Sequence, residues 1–247
     1  MSSVKDAVGE VVLPGDVLFL PAPVTDAPLS LSAASSATKR MRVVCGPGLT
    51  RHGEDLQVTK CGLLRHREPA VYWVDSHQKR YVPVKGDHII GIVTIKSGDV
   101  FKVDVAGSDQ ASLSFLAFEG ATKKNRPNVK VGDLVYGQFI VANKDMEPEL
   151  ACIDGSGKAN GMGVIGQDGF MFKVSLGLVR KLLTPQNDII QELMNVLPME
   201  LVIGMNGRIW VKAKTLQQTL IVANILEACE YLTAAQRKQV FAKFSNV

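Results

Sequence analysis

The ten residues GMNGRIWVKA, numbered 204–213, decide how the last third of the chain is read. They open on a G-x-x-G and then alternate between polar and apolar positions. Asn206-Gly207 is a strong hairpin signal, because both residue types tolerate positive φ, and it predicts a type I′ turn. MELVIG (199–204) and GRIWVKA (207–213) then read as the paired strands. Downstream, Thr215 followed by Gln218 is a capping box that opens a long helix to about Leu232, and Thr233 followed by Gln236 opens another. Upstream, SLGLVRKLL predicts a short helix with Leu176, Val179, Leu182 and Leu183 on one side. Thr184-Pro185 then starts a second helix through Ile189, Leu193 and Met194.

The order strand–helix–helix–strand–strand–helix is that of an α/β KH module with an added C-terminal helix. A KH module that grips RNA carries its G-x-x-G between two helices, where N–H groups at a helix start face phosphates. Here the motif joins two strands, and the helix–helix position reads LLTPQND, without glycine. Gly204, Asn206 and Gly207 are therefore expected to build a turn rather than a phosphate grip. Met205, apolar within that loop, is expected to pack against something.

The period of the pattern changes earlier in the chain. GDHIIGIVTIKSG, DVFKVDVAG, ASLSFLAF, DLVYGQFIVAN and ELACID are five strand candidates within about seventy residues, the size of an OB-fold, a small Greek-key barrel. DGSGKANGMG (154–163) marks the boundary behind it. Ahead of it, VVLPGDVLFLPAP, RMRVVCGPGL, DLQVTKCGLLRH and AVYWVD read as short strands broken by glycine and proline, with a Ser/Ala-rich loop over 28–38. The expected architecture is multidomain, β and α+β. It comprises a β-rich N-terminal domain (1–84), a central five-stranded barrel (85–154) and a KH-like α/β domain (155–247).

Composition bounds the function. Of 247 residues 46% are hydrophobic and 21% charged, enough for real cores in a soluble protein, and no apolar run approaches a membrane span. The start, MSSVKDAVGE, lacks the apolar core of a secretory signal. Cys45, Cys61, Cys152 and Cys229 form no C-x-x-C pair, so reduced intracellular thiols are expected, with no zinc or disulfide framework. The net charge of +4 is mild. Its distribution says more: the middle third is net acidic, yet TKKNRPNVK (122–130) holds four cations and no acid, on the long loop between the third and fourth barrel strands.

Three stretches carry a resemblance. RYVPVKGDHIIGIV, FEGATKKNRPNVKVGDLVYGQFIVANKDMEPELACID and GMNGRIWVKAKT resemble the cap subunits of the eukaryotic RNA exosome, the second being similar to their OB-fold of the S-one type and the third to an altered KH signature, G-x-N-G. The likeness runs from Val11 to Phe244. It implies three cap subunits on a six-membered ring of RNase PH-like proteins, with single-stranded RNA threading through to a separate catalytic exoribonuclease. It further implies that the N-terminal domain and parts of the KH domain contact the ring, that the barrel faces the pore, and that the G-x-N-G is buried between domains. A nuclear, nucleolar and cytoplasmic location, no membrane and no cofactor complete the expectation.

Lys123, Lys124 and Arg126 are the leading candidates for RNA contact, since mobile ammonium and planar guanidinium groups suit phosphate oxygens and read no sequence. Lys96 and Lys102, on the first two barrel strands, are companions. Phe101 and Phe115 either stack bases or fill the barrel; alternation with Val103 and Val105 favours the core. Trp210 shares a strand face with Arg208 and Lys212 and is either a base-stacking platform or an interface anchor, the latter favoured. His52, His66, His77 and His88 show no metal spacing, and Asp99 and Asp104 fall on opposite faces of a regular strand. No nucleophile elbow or carboxylate set is present, so no catalytic or metal-binding residue is expected.

Overall fold

The computed structural model describes residues 2–20, 43–53, 55–143, 145–185 and 189–244. The chain divides into two compact units, 1–77 and 78–247. The Ser/Ala-rich stretch 28–38 and the expected helix start just after Pro185 fall outside the described residues.

In the first unit, strands β1 (Ser2–Ser3), β3 (Val17–Phe19), β6 (Asp55–Val58) and β5 (Leu49–His52) form one sheet in that order. Strands β2 (Val11–Val12), β7 (Gly62–Arg67), β8 (Val71–Asp75) and β4 (Val44–Cys45) form the second. Period-two alternation sends Leu56, Val58, Leu64, Tyr72 and Val74 into a shared core with Val4 and Leu18. The β-rich reading of this segment holds.

The second unit begins with the barrel. Its strands are β9 (His88–Ser97), β10 (Val100–Asp104), β11 (Ala111–Ser114), β12 (Leu134–Val141) and β13 (Glu149–Ala151). The sheet order is β13-β11-β10-β9-β12, and β12 pairs again with β13, which closes the barrel; β14 (Gly163–Val164) adds to the free edge of β12. Ile89, Val93, Phe101, Val103, Leu113, Phe139 and Leu150 point inward. Burying each such side chain contributes about 1.5–3 kcal/mol. Phe101 and Phe118 meet edge to face, with centroids 6.4 Å apart. Phe101 and Phe115 are thus core residues, as alternation favours. Tyr81 belongs to the same core and donates its hydroxyl to Asp87 at 2.7 Å, so the barrel's packing starts before residue 85.

The KH-like part follows as β15 (Phe170–Lys173), α1 (Leu176–Leu182), α2 (Ile189–Val196), β16 (Met199–Ile203), β17 (Arg208–Ala213), α3 (Leu216–Ala228) and α4 (Ala234–Phe244). The antiparallel sheet has the order β15-β17-β16. Ile209 and Val211 pack against Leu178, Leu193 and Leu226 from the helices. Ser175 caps α1 by accepting from Leu178 N–H, and Thr215 caps α3 by accepting from Gln218 N–H. Thr233 and Gln236 bond reciprocally ahead of α4, a complete capping box. One helix reading needs correction. Leu183 caps the end of α1 and is exposed, while Leu178 takes the buried place, because the helix stops one residue before the periodic stripe does.

The turn at 204–207 is a hairpin, as its residues demand, but not of type I′. Of the four residues only Gly207 has a left-handed φ, +79°. Gly204 N–H donates to Arg208 C=O at 2.9 Å and Gly207 N–H to Gly204 C=O at 3.1 Å. The loop therefore comprises three residues, Met205–Gly207, with glycine in the left-handed position. Asn206 keeps an ordinary backbone because its side chain is committed elsewhere.

Candidate functional site

Asn206 is 2% exposed and reaches into the barrel. Its Nδ2 donates to Ile90 C=O at 2.8 Å and Val105 C=O at 3.0 Å, while its Oδ1 accepts from Ile90 N–H at 3.3 Å. An amide suits this place because it alone offers two donors and an acceptor on one short stem. Met205 N–H donates to His88 C=O at 2.8 Å, and the Met205 side chain touches both the barrel core and the KH core. A Cβ on Gly204 would lie 2.7 Å from Ile90 N, and one on Gly207 would lie 2.8 Å from Val174 O. Both glycines are needed for close approach. The G-x-x-G is a plug that seats the KH sheet on the barrel, with its amide turned to protein rather than to solvent.

Arg208 completes the seat. Its Nη1 donates to Asp104 C=O at 2.6 Å and Ile90 C=O at 3.2 Å, and its Nη2 donates to Asp104 Oδ2 at 2.6 Å. Burial pushes the Asp104 carboxyl up, but the Ala106 N–H and the Arg208 guanidinium together hold it below its ordinary value. The sequence pattern sets Arg208 beside Trp210 as a flanking cation and Asp104 on the strand face opposite Asp99; neither reading finds the clasp. The available signal was a charged residue on a strand whose two faces both require cover. Trp210 is 3% exposed, and a Cβ on Gly169 would lie 2.3 Å from its indole. It packs inside this chain, so it is no open stacking platform; its burial against Gly169 leaves the anchor reading standing.

The cationic loop 122–130 sits at the β9–β10 end of the barrel. It is anchored by Val129, which is buried in the barrel core, and is closed on itself where Thr122 N–H donates to Asn125 C=O at 2.9 Å. Lys130 N–H donates to Asp133 Oδ2 at 2.8 Å, and Gln167 holds the other oxygen at 2.9 Å. Arg126 lies over the Phe115 ring at 4.7 Å and pairs with Asp99 at 2.9 Å. Lys96 lies over Phe101 at 5.6 Å and donates to Val129 C=O at 3.3 Å. Cations on aromatic faces gain about 0.5–1 kcal/mol at exposed sites. Lys123 and Lys124 are exposed and pair with no described acid. The structure thus gathers Lys96, Lys123, Lys124 and Arg126 at one end of the barrel.

Lys102 does not join them. It forms an ion pair with Glu147 on the loop before β13, on another part of the barrel's outer surface. Asp99 and Asp104 face different arginines, and no group of three or more His, Cys, Asp or Glu that could hold a metal ion occurs among the described residues. No described helix is long and apolar enough to cross a membrane.

Comparisons with known proteins agree with this layout. Residues 81–163 match the family described as exosome complex component RRP40, S1 domain; residues 10–77 match the mammalian exosome complex component RRP40 N-terminal family; residues 169–217 match the KH domain family. Human exosome complex component RRP40 is 65% identical over 256 residues, covering 98% of this chain and 92% of the human protein. The Drosophila melanogaster protein of that name is 42% identical, with 93% of each chain covered. The Saccharomyces cerevisiae one is 38% identical over 68% of this chain and 71% of its own length. A solved structure 22% identical to the chain, covering 67% of it at a TM-score of 0.55, shares the fold. With its N-terminal, S1 and KH domains in this order, the chain belongs to the RRP40 family of exosome complex components.

Proposed function

We propose that the chain is a non-catalytic cap subunit of the RNA exosome. It sits with other cap subunits on a ring of RNase PH-like proteins and guides single-stranded RNA into the central channel. The 3′–5′ chemistry belongs to an associated exoribonuclease subunit, and the assembly works in nucleus, nucleolus and cytoplasm. The observation that carries the RNA part is the loop 122–130: four cations, no acid, and two lysines exposed on a backbone fixed to the barrel. Because the backbone is held, the loop itself has little freedom to lose on meeting a phosphate chain, and phosphate contacts impose no sequence preference. Lys96 and Arg126 extend the same edge. Lys102, already paired with Glu147, drops out of the set.

The test is made on the assembled complex. Replacing Lys123, Lys124 and Arg126 by alanine should weaken binding of a single-stranded oligoribonucleotide. Loss of about three phosphate contacts flattens the log–log salt dependence by roughly two units. An unchanged slope would reject this assignment, and the absence of any RNA crosslink between Lys96 and Lys130 would mean a scaffold that never touches RNA. Shortening of labelled RNA by the purified chain, with or without magnesium and phosphate, would refute the non-catalytic assignment.

A further inference from the structure

The outer face of the barrel carries a groove unlike its cationic end. The hollow, of about 520 Å³, runs across the outward side of β10, β11 and β13 and is flanked by the β9–β10 turn and the loop before β13. Val100 and Ile140 are both exposed along it, over a floor that includes Leu150. A second hollow of about 420 Å³ shares Lys102 and Glu147 with the first and continues it past Met146, also exposed. In many OB-folds this face and these two loops take oligonucleotides. Here its charge has the wrong sign. Asp109, Asp145, Glu147 and Glu149 line the two hollows, against one described cation, Lys102, which is already paired with Glu147. Counting Lys144 from the sequence of that loop still leaves acids in excess by two.

We propose that this groove is a docking surface for a protein partner's extended segment, in which basic residues alternate with apolar ones. The apolar strip through Val100, Ile140 and Met146 takes the apolar side chains, and the carboxylates on either side take the cations. Clustered carboxylates repel a phosphate backbone, so one barrel presents two surfaces of opposite charge that meet at the β9–β10 turn: RNA along 122–130 and a basic peptide on the strand face. The inference stands independently of RNA binding at the cationic loop.

The test uses the full chain and a fluorescein-labelled twelve-residue peptide of repeated Arg-Leu, read by fluorescence anisotropy, with a labelled oligouridylate of equal length in parallel. The expected result is peptide binding that falls by about tenfold in the Asp109→Asn/Asp145→Asn/Glu149→Gln triple variant. Ile140→Ser should weaken it too, because the apolar strip is half of the recognition. Both variants alter exposed side chains, and unchanged thermal unfolding will show that they fold. Lys123→Ala/Lys124→Ala should leave the peptide affinity unaltered. No binding of the peptide by the native chain, equal binding by the triple variant, or a crosslink from oligouridylate to the residues around Lys102 would overturn the proposal.

Discussion

Arg208 Nη2 lies 2.6 Å from Asp104 Oδ2, and the two side chains differ sharply in exposure, 1% for the arginine against 42% for the aspartate. The pair is therefore asymmetric. Removing the aspartate strands a buried guanidinium, whereas removing the arginine leaves a carboxylate that water can reach. Asp104→Ala should lower stability by about 2–4 kcal/mol, Arg208→Met by less, and the double variant by no more than Asp104→Ala alone. Urea unfolding of the three variants checks the order; equal costs for both single changes would contradict it.

The same carboxylate sets a pH dependence. Its ordinary value is 3.8, and the Ala106 N–H and Arg208 hold it lower against the effect of burial. A group with a depressed value adds stability that is complete well above pH 4 and is lost as pH falls through the lowered value. Native protein should accordingly lose stability more steeply below pH 4 than Asp104→Asn does. Parallel acid titrations followed by circular dichroism would show it.

At the hairpin, Gly207→Ala meets two obstacles: a φ of +79° and a new Cβ 2.8 Å from Val174 O. A loss of about 1–3 kcal/mol is expected. Asn206→Asp should cost more than Asn206→Ala, because it turns an acceptor toward the carbonyls of Ile90 and Val105 in a buried place. Thermal unfolding of both variants settles the ranking.

Thiol labelling offers a test that needs no substitution. Cys61 is exposed, whereas burial pushes the Cys152 thiol up to about 12 and raises that of Cys229 as well. Iodoacetamide at pH 8 should modify Cys61 first and leave Cys152 intact until the protein unfolds. Peptide mapping by mass spectrometry reads the order directly.

Much of this architecture is visible in the residues because local rules produce it. Period-two runs give the barrel strands, the Thr233–Gln236 box is fully formed, and Asn206-Gly207 stands at the tip of a hairpin. What the rules miss is set by contacts across the chain. The type I′ expectation fails because Asn206 bonds to residues more than a hundred positions earlier, and no local propensity reports that commitment. Arg208 and Asp104 are misread for the same reason: a strand's pattern shows which side a residue faces, not what lies there. Lys102 reads as one surface lysine among several until Glu147 is brought beside it.

The plug at 204–208 also dictates an order of events during synthesis. Residues 88–105 leave the ribosome long before Asn206 and Arg208 exist, so until then the Ile90 and Val105 carbonyls lack the side-chain donors that cover them in the finished fold. A chaperone or protease that inspects unfinished chains therefore meets a half-built seam, which vanishes only when translation reaches the last sheet.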